Sequence, residues 1–369
     1  MSKRPGSPSA GIVIKRAKGT PPPSTQIAIS SSDADRSKGL IRTVQRTSNL
    51  EAPIVSLAGA HSGEILSCRF DPTGQNIAAC SADRSVCDVL ADVPTEQQHG
   101  LLSSMNKAPI LDLQWSLFSP TIYTVSADHT LITTDVTTGQ RVRKIRAHRE
   151  IINSVDRTMA GGSGTELLAT GSDDGTVRVW DGGEDGGKLP IAEFDVGCPV
   201  TAVCWSADGA SIYAAALDNE IHIYDLRKGT QLSTLTGHTD TPTSLALSPN
   251  GSFLLAPSFS SQTLIHDVRP FSPSPTRVHR VLTGAPAGFE HTLLRGAWSR
   301  SDGGARVAVG GADRMVCVWD VESARVVYKL PGHKGTVTCV DFHPKEPIIL
   351  TGSKDGTMLL GELDVGTAA

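Results

Sequence analysis

The feature of this sequence that most constrains its fold is a short segment, centred on aspartate, that recurs seven times at near-constant spacing. The repeated position holds Asp83, Asp128, Asp174, Asp218, Ser260, Asp313 and Asp355, so serine replaces aspartate once. The intervals are 45, 46, 44, 42, 53 and 42 residues. Such a period indicates seven copies of one supersecondary unit, which bury their apolar faces by stacking on each other.

The residues around the repeated aspartate identify the unit. Segments 171–181 and 311–320 keep the full signature, in which tryptophan follows the repeated aspartate after six residues and a second aspartate comes next. A Gly-His pair opens several copies, as at Gly237-His238 and Gly332-His333. The pattern is typical of WD repeats, each of which forms one four-stranded blade of a propeller. The sequence therefore predicts an all-β, seven-bladed WD-repeat β-propeller over residues 51–369.

Residues 1–50 differ in composition from the repeats. They contain nine Lys and Arg against two Asp, are rich in Ser and Pro, and lack apolar periodicity, so we expect a disordered basic tail. Two basic clusters in this tail have the two-part spacing of a nuclear import signal. They comprise Lys3, Arg4, Lys15, Arg16 and Lys18. We therefore predict a nuclear location; the alternative is a tail that only adds solubility.

Charge and cysteine usage limit the class of function. The formal net charge is −4, and since the tail contributes +7, residues 51–369 carry −11. An acidic body binds nucleic acid poorly, because phosphate contacts supply most of that affinity, so we expect a protein partner and at most a peripheral contact with RNA. None of the seven cysteines forms a C-x-x-C pair, which argues against a zinc site and favours reduced thiols. No apolar run reaches the ~20 residues of a membrane span, and no cofactor is expected.

Two segments at the edges of the repeats have predicted structural roles. Residues 52–57 precede the first blade and are predicted to pair with the last one, which closes the ring and removes an open sheet edge. The longest interval places an insertion at Pro270–His291, whose proline and glycine content predicts a loop. Long loops in compact folds often carry function.

Blade three contains the four residue types that form a buried hydrogen-bond chain in WD repeats. They are His148, Ser154, Asp174 and Trp180. We predict a chain from the Trp N–H through Ser and His to Asp. The alternative is a Ser-His-Asp hydrolase triad. Recurrence of the same residue types in blade one, at His61, Ser67 and Asp83, favours the structural role, and no Gly-x-Ser-x-Gly segment is present. We expect no catalytic residue.

Aligning the blades on their aspartate and histidine predicts which residues lie at the narrow end of the ring, here called the rim. The rim residues are Glu64, Arg84, His129, Ile151, Asp173, Asn219, Phe259, Arg314 and Lys354. We expect the rim and the insertion to contact a protein partner, with Phe259, if it is exposed, as an apolar anchor and with Arg84, Arg314 and Lys354 as positive points. The alternative is docking through the side or the opposite end.

Several segments resemble one family of WD-repeat proteins in particular. They are 267–271 (DVRPF), 289–295 (FEHTLLR), 328–333 (YKLPGH), 342–349 (FHPKEPII) and the final Gly361-Glu362. Over about residues 51–365 the chain resembles the forty-kilodalton WD-repeat proteins of the spliceosomal U5 snRNP. The resemblance implies a non-enzymatic nuclear subunit of the splicing machinery. It also implies a monomeric member of a large complex that binds the core scaffold, pre-mRNA-processing factor eight.

Two repeats suggest another function. The segments 224–227 (YDLR) and 266–269 (HDVR) resemble the W-D-x-R motif by which some WD proteins dock on the adaptor of cullin-RING ubiquitin ligases. This alternative predicts a substrate receptor of such a ligase. A structural explanation is also open, in which the arginine at the end of a blade pairs with a nearby carboxylate.

Overall fold

The computed structural model describes residues 50, 54–90, 98–102, 106–159, 164–183, 186–272, 274 and 276–363, and every regular element in them is a β-strand. The strands form seven four-stranded antiparallel sheets, which are the blades of a β-propeller. Within these residues, no helix has the length and apolar character needed to span a bilayer. The predicted tail, with its import residues, lies outside the described residues.

The strands are numbered in chain order, and blades one to six each run from the ring axis outward. Strand β1 (Ile54–Leu57) precedes blade one, which consists of β2 (Ile65–Phe70), β3 (Asn76–Ser81), β4 (Val86–Leu90) and β5 (Gln98–Leu102). Blade two consists of β6 (Ile110–Trp115), β7 (Thr121–Ser126), β8 (Thr130–Asp135) and β9 (Arg141–Arg146). Blade three consists of β10 (Ile152–Met159), β11 (Glu166–Ser172), β12 (Thr176–Asp181) and β13 (Ala192–Asp195).

The remaining strands complete the ring. Blade four consists of β14 (Val200–Trp205), β15 (Ser211–Ala216), β16 (Ile221–Asp225) and β17 (Thr230–Leu235). Blade five consists of β18 (Ala246–Leu247), β19 (Phe253–Pro257), β20 (Gln262–Asp267) and β21 (Val278–Thr283). Blade six consists of β22 (Gly296–Trp298), β23 (Arg306–Gly310), β24 (Val316–Asp320) and β25 (Val326–Leu330). Blade seven consists of β26 (Val337–Phe342), β27 (Ile348–Ser353), β28 (Met358–Glu362) and β1.

The apolar core is divided among the junctions between neighbouring blades. Seven hydrophobic clusters are present, and each draws its residues from two adjacent blades. Trp180 of blade three, for example, packs with Tyr123 and Leu131 of blade two. Both faces of the second strands are covered by such packing, so β7, β11 and β27 are buried along their whole length. Each blade is therefore stabilised mainly by its two neighbours.

The ring closes as the sequence predicts. Strand β1 pairs with β28, from Ile54 opposite Gly361 to Leu57 opposite Met358. A hydrophobic cluster shared by blades one and seven backs this pairing. The chain thereby covers the outer edge of β28, which would otherwise expose unpaired backbone groups.

The prediction that Pro270–His291 is entirely a loop is wrong. Strand β21 lies inside this segment and pairs with β20, from Gln262 opposite Thr283 to His266 opposite Val278. It supplies the outer strand that blade five needs. The prolines and glycines are confined to its two flanks, where the chain turns, and they masked the short apolar alternation between them. Within the insertion, the described residues of 270–277 and residues 284–291 are without a strand, and the second of these loops continues to residue 295.

Candidate protein interface

The repeated aspartate belongs to a tight turn between the second and third strands of a blade. In all seven blades the residue after this position has a left-handed φ between 63° and 80°. The seven residues are Arg84, His129, Gly175, Asn219, Ser261, Arg314 and Gly356. In each turn the amide of this residue donates to the carbonyl three positions earlier, for example Arg84 N to Ser81 O at 3.2 Å. This is the geometry of a type I turn followed by a left-handed residue.

In all seven blades a backbone hydrogen bond joins this turn to the loop that leads into the inner strand. Ala82 N donates to Glu64 O, and Asp173 N donates to Ile151 O, both at 2.9 Å. Lys354 and Phe259 donate in the same way to the loops of their own blades. The nine rim residues therefore lie in turns and entry loops at the same end of their blades. Their role in binding a partner stays a prediction.

The expected apolar anchor is not where the sequence placed it. Phe259 is half-buried, packs against the cluster between blades five and six, and meets the edge of His291 at 5.0 Å between ring centroids. Phe289, in the loop before blade six, is fully exposed instead. The exposure that an anchor role for Phe259 requires is not present, because the insertion folds back and His291 packs against that ring. Phe289 is the side chain with the required exposure.

The rim cations differ in their surroundings. Lys354 Nζ lies 2.6 Å from Glu290 Oε2 and 4.0 Å from Glu64 Oε2, so two carboxylates already balance its charge. Arg84 and Arg314 are exposed, and neither pairs with a carboxylate among the described residues. Among the three rim cations, Arg84 and Arg314 rather than Lys354 are therefore exposed and without a carboxylate partner among the described residues.

Blade three contains a continuous hydrogen-bond chain from its tryptophan to its aspartate. Trp180 Nε1 donates to Thr170 Oγ1 at 2.9 Å, and Thr170 Oγ1 lies 2.8 Å from His148 Nε2. His148 Nδ1 lies 3.1 Å from both carboxylate oxygens of Asp174. A neutral imidazole with its proton on Nδ1 satisfies every member: it accepts from Thr170 and donates to Asp174.

The pKa values of this chain agree with a neutral histidine. Burial lowers the pKa of His148 to about 4, against the opposing effect of Asp174. Partial burial would raise the pKa of Asp174, but hydrogen bonds from Thr176 and the Arg149 amide outweigh it and lower that pKa to about 2. At pH 7 the hydrogen-bond chain therefore pairs the neutral imidazole of His148 with the carboxylate of Asp174.

The prediction that Ser154 is the hydroxyl of this chain is wrong. Ser154 lies on the inner strand β10, where its Oγ accepts from Val203 N of blade four at 3.3 Å. The hydrogen-bond chain instead uses Thr170 on β11, the strand that pairs with the one carrying Trp180, and this hydroxyl lies directly beside His148. Ser67 of blade one behaves like Ser154: it donates to Asp112 at 2.9 Å, and His61 contacts Ser85 and Asp83 instead.

The residues at the positions of Thr170 and Trp180 determine whether another blade contains the complete hydrogen-bond chain. Blade seven has Thr351, whose Oγ1 lies 2.8 Å from His333 Nε2, but Gly361 stands where blade three has tryptophan. Blade one has Ala79 in place of the threonine, and His61 Nε2 has no hydrogen-bond partner among the described residues. A search of the second strand for a hydroxyl residue two positions before its final serine would have identified Thr170, which precedes Ser172.

Arg269, the arginine of one W-D-x-R-like segment, is held within its own blade. Its Nη2 and Nε bond to Asp267 at 2.6 and 2.9 Å. The guanidinium also lies 5.5 Å from the centroid of the Phe253 ring. This bidentate pair matches the structural explanation of the motif.

A closed ring of seven blades with these turns defines the protein as a WD-repeat propeller. The family model described as WD domain, G-beta repeat matches residues 52–87, 139–181 and 324–360. That of the Anaphase-promoting complex subunit 4 WD40 domain matches residues 163–250.

Within that class, the chain belongs to the family of U5 small nuclear ribonucleoprotein 40 kDa proteins, which confirms the resemblance in the sequence. The protein of that name from Homo sapiens is 36% identical over 86% of each chain. Pre-mRNA-splicing factor cwf17 from Schizosaccharomyces pombe is 39% identical over 87% of this chain and 91% of that protein. The DDB1- and CUL4-associated factor 11 homolog from Caenorhabditis briggsae is 26% identical over 88% of this chain and 59% of that protein.

Proposed function

We propose that this chain is a non-enzymatic scaffold subunit of the U5 particle and acts in nuclear pre-mRNA splicing. The observation that carries the proposal is its similarity to proteins named for the U5 particle and for pre-mRNA splicing, which extends along nearly the whole propeller. A propeller of this kind acts through its surfaces, because its blades supply loops on a rigid frame.

The hydrogen-bond geometry supports the non-enzymatic part of the proposal. A hydrolase triad would need Ser154 beside His148, whereas Ser154 accepts from Val203 N and the imidazole is paired to Thr170. That threonine is buried, bonded to Trp180 Nε1, and out of reach of a substrate. The chain therefore rigidifies the blade.

We propose pre-mRNA-processing factor eight as the partner and the rim as the docking surface. The exposed Arg84 and Arg314 make the rim locally positive, although residues 51–369 carry a net charge of −11. A positive patch of this kind favours a partner surface that carries acidic side chains. The exposed ring of Phe289 adds an apolar contact of the kind that dominates interface energies. Contact with RNA stays peripheral in this proposal, since the acidic body repels phosphates.

The rim proposal has a clean test because of the backbone at its two free arginines. Arg84 and Arg314 have φ values of 70° and 66°, where glycine is the preferred residue, and two other blades already use glycine there. The double substitution Arg84→Gly and Arg314→Gly removes both charges without backbone strain. With Phe289→Ala added, binding to the purified scaffold should weaken at least tenfold, mostly through slower association at low salt.

Matched surface variants complete this test. Arg227→Ala and Leu232→Ala alter an exposed segment of blade four away from the rim, and the affinity for the scaffold should stay within about twofold. If the rim variant binds as well as the wild type while the blade-four variant does not, the docking surface is on the side of the ring.

The competing function is substrate receptor of a cullin-RING ligase. Arg269 is engaged with Asp267, which favours the structural explanation of that motif. Full-length tagged protein should be purified from nuclear extract of its own organism and its partners identified by mass spectrometry. We expect splicing proteins. Recovery of a cullin and its adaptor without splicing proteins would favour the ligase alternative.

A further inference from the structure

A cavity of about 460 Å³ lies on the axis of the ring, and all seven blades contribute to its wall. We call it the axial cavity; the residues used below are Arg69, Asp156, Arg157, Trp205, Arg295, Arg300 and Asp341. Inner strands enter from the rim and these residues lie mostly at their far ends, so the cavity opens at the end opposite the rim. Its size falls within the range of ligand-binding pockets.

The guanidinium of Arg295 forms the floor of the axial cavity. It crosses the axis from blade six, and its Nη1 donates to Asp112 of blade two at 3.0 Å. Its Nη2 donates to the carbonyls of Leu111 and Asn153 at 3.0 and 2.9 Å. Arg295 is 8% exposed. The remaining donor of this guanidinium, Nε, is buried and has no hydrogen-bond partner among the described residues.

Three carboxylates near the axis, those of Asp112, Asp156 and Asp341, accept hydrogen bonds from the backbone of neighbouring blades. Each accepts a backbone amide from the next blade round the ring. The pairs are Asp112 with Val155, Asp156 with Trp205 and Asp341 with Phe70, at 3.0, 2.8 and 2.9 Å. These acceptors are therefore occupied in holding neighbouring blades together.

One of the two tryptophans that line the axial cavity, Trp205, differs from the others at the ends of inner strands. Trp115 and Trp298 end the inner strands of blades two and six, and their Nε1 atoms donate to carbonyls of the preceding blade at 3.2 and 2.9 Å. Trp205 ends the inner strand of blade four and is 3% exposed, yet its Nε1 has no partner among the described residues. It is a buried donor without an acceptor.

The remaining arginines of the axial cavity also have donors to spare. Arg157 Nε is buried without a hydrogen-bond partner among the described residues, and its nearest carboxylate oxygen, on Glu166, lies 3.9 Å away. Arg300 is half-exposed and approaches Asp341 only to 3.9 Å. Arg69 Nε donates to the carbonyl of Leu113 at 3.1 Å, and its Nη2 approaches Asp112 only to 3.9 Å. The unsatisfied groups here are thus donors, whereas the acceptors are satisfied.

An apolar lip stands beside these donors. Leu117 lines the axial cavity, and the next residue, Phe118, is 62% exposed. Both belong to the turn between β6 and β7, which is anchored by Glu166 through the Leu117 amide at 3.0 Å. A rigid exposed ring next to a cationic pocket suits a peptide that carries an apolar and an acidic side chain.

We propose that the axial cavity binds a carboxylate of an acidic segment from a protein partner, with an apolar residue of that segment packed on Phe118. The carboxylate accepts from Arg157, Arg300 and Trp205, which matches the donors left over by the fold. A single negative charge suits the site, because the carboxylates already present and the acidic body oppose a polyanion such as RNA. This site lies opposite the rim and does not depend on the proposed splicing role.

Tryptophan indole signals offer a direct test on the full chain. The protein has five tryptophans, so ¹⁵N-labelled indoles give five NMR signals, and Trp205→Phe assigns the one of interest. The probe is an amidated peptide with three glutamates and two leucines. We expect saturable binding that shifts the Trp205 signal and leaves that of Trp180 unmoved.

Matched peptides and variants decide the outcome. Replacing the glutamates by glutamine, or Arg157 or Arg300 by methionine, should weaken binding about tenfold, as for loss of a charged hydrogen bond. Arg314→Met, on the rim, should leave it unchanged. The proposal is overturned if the acidic peptide shows no saturable binding up to ~1 mM, if the glutamine peptide binds equally, or if only an oligouridine shifts the Trp205 signal.

Discussion

Arg295 of blade six and Asp112 of blade two bond at 3.0 Å across the axis of the ring, although 183 residues separate them in sequence. Neither blade neighbours the other. The pair is buried, with Asp112 fully inaccessible and Arg295 nearly so. Together with the bonds from Arg295 to Leu111 and Asn153, it ties together opposite sides of a propeller whose hydrophobic clusters each join two adjacent blades.

Arg295→Met should therefore destabilise the protein by about 3–5 kcal/mol, because it removes the nearest cation from the buried Asp112 side chain and leaves it only Arg69, at 3.9 Å. The urea midpoint of the variant measures the loss. The double variant with Asp112→Asn should recover part of it, since the uncompensated charge is gone. A single variant as stable as the wild type would show that the pair does not hold the ring together.

Removing the hydroxyl of Thr170 should lower the free energy of unfolding, because this group links the two ends of the hydrogen-bond chain in blade three. Thr170→Val keeps the shape of the side chain but removes the partner shared by Trp180 Nε1 and His148 Nε2, at a cost of about 1–3 kcal/mol. Thr170→Ser, the matched control, should lose less than ~1 kcal/mol. Equal stability of the two variants would contradict the chain as described.

Stability should fall as the pH drops from 6.5 towards 4. Burial lowers the pKa of His148 and His238 to about 4, and that of His266, which also faces His238, to about 3. Unfolded histidines titrate near 6.5, so between these values the unfolded chain binds more protons, and stability rises with pH. His148 and His238 each contribute ~3 kcal/mol that is fully present above pH 6.5 and lost by about pH 4, whereas the loss from His266 continues to about pH 3.

The variant His266→Phe isolates one of these histidines. Its nearest imidazole, His238, has its Nε2 3.1 Å from that of His266. Urea midpoints measured at several values between pH 7.5 and 4.5 should show a shallower dependence in the variant than in the wild type, by up to one proton. Parallel profiles would mean that His266 does not remain neutral in the folded protein.

Nuclear import should depend on the basic clusters Lys3-Arg4 and Lys15-Arg16-Lys18. Residues 1–50 fused to a large cytosolic reporter should carry it into the nucleus, and alanines at both clusters should abolish this. Alanine at Arg36 and Lys38, elsewhere in the tail, is the control. A wild-type fusion that stays in the cytoplasm would refute the signal.

The fold was predictable because its main determinant is local and repeated. The aspartate turn recurs in nearly every blade, and its left-handed residue follows from the turn geometry, so period and motif together predicted seven blades and the closing strand β1. Strand β21 was missed since prolines and glycines on both flanks outweighed a six-residue alternation.

The site was less predictable because it depends on contacts between distant segments. Ser154 and Thr170 both carry a hydroxyl, so residue type alone cannot choose between them. Ser154 lies on the inner strand near the axis, whereas Thr170 lies on the second strand beside His148. No pattern in the sequence connects Arg295 to Asp112. Phe259 satisfied the alignment, but whether the insertion would cover it depends on how that loop folds back, so Phe289 could not be preferred.

The most direct test of the central claim is the RNA that accompanies the protein. The tagged full-length chain should be purified from nuclear extract and each spliceosomal small nuclear RNA quantified relative to its input. We predict strong enrichment of the U5 RNA, reduced by the rim substitutions and retained when Arg227 and Leu232 are replaced. Recovery of the protein without enrichment of the U5 RNA would contradict its assignment as a subunit of the U5 particle.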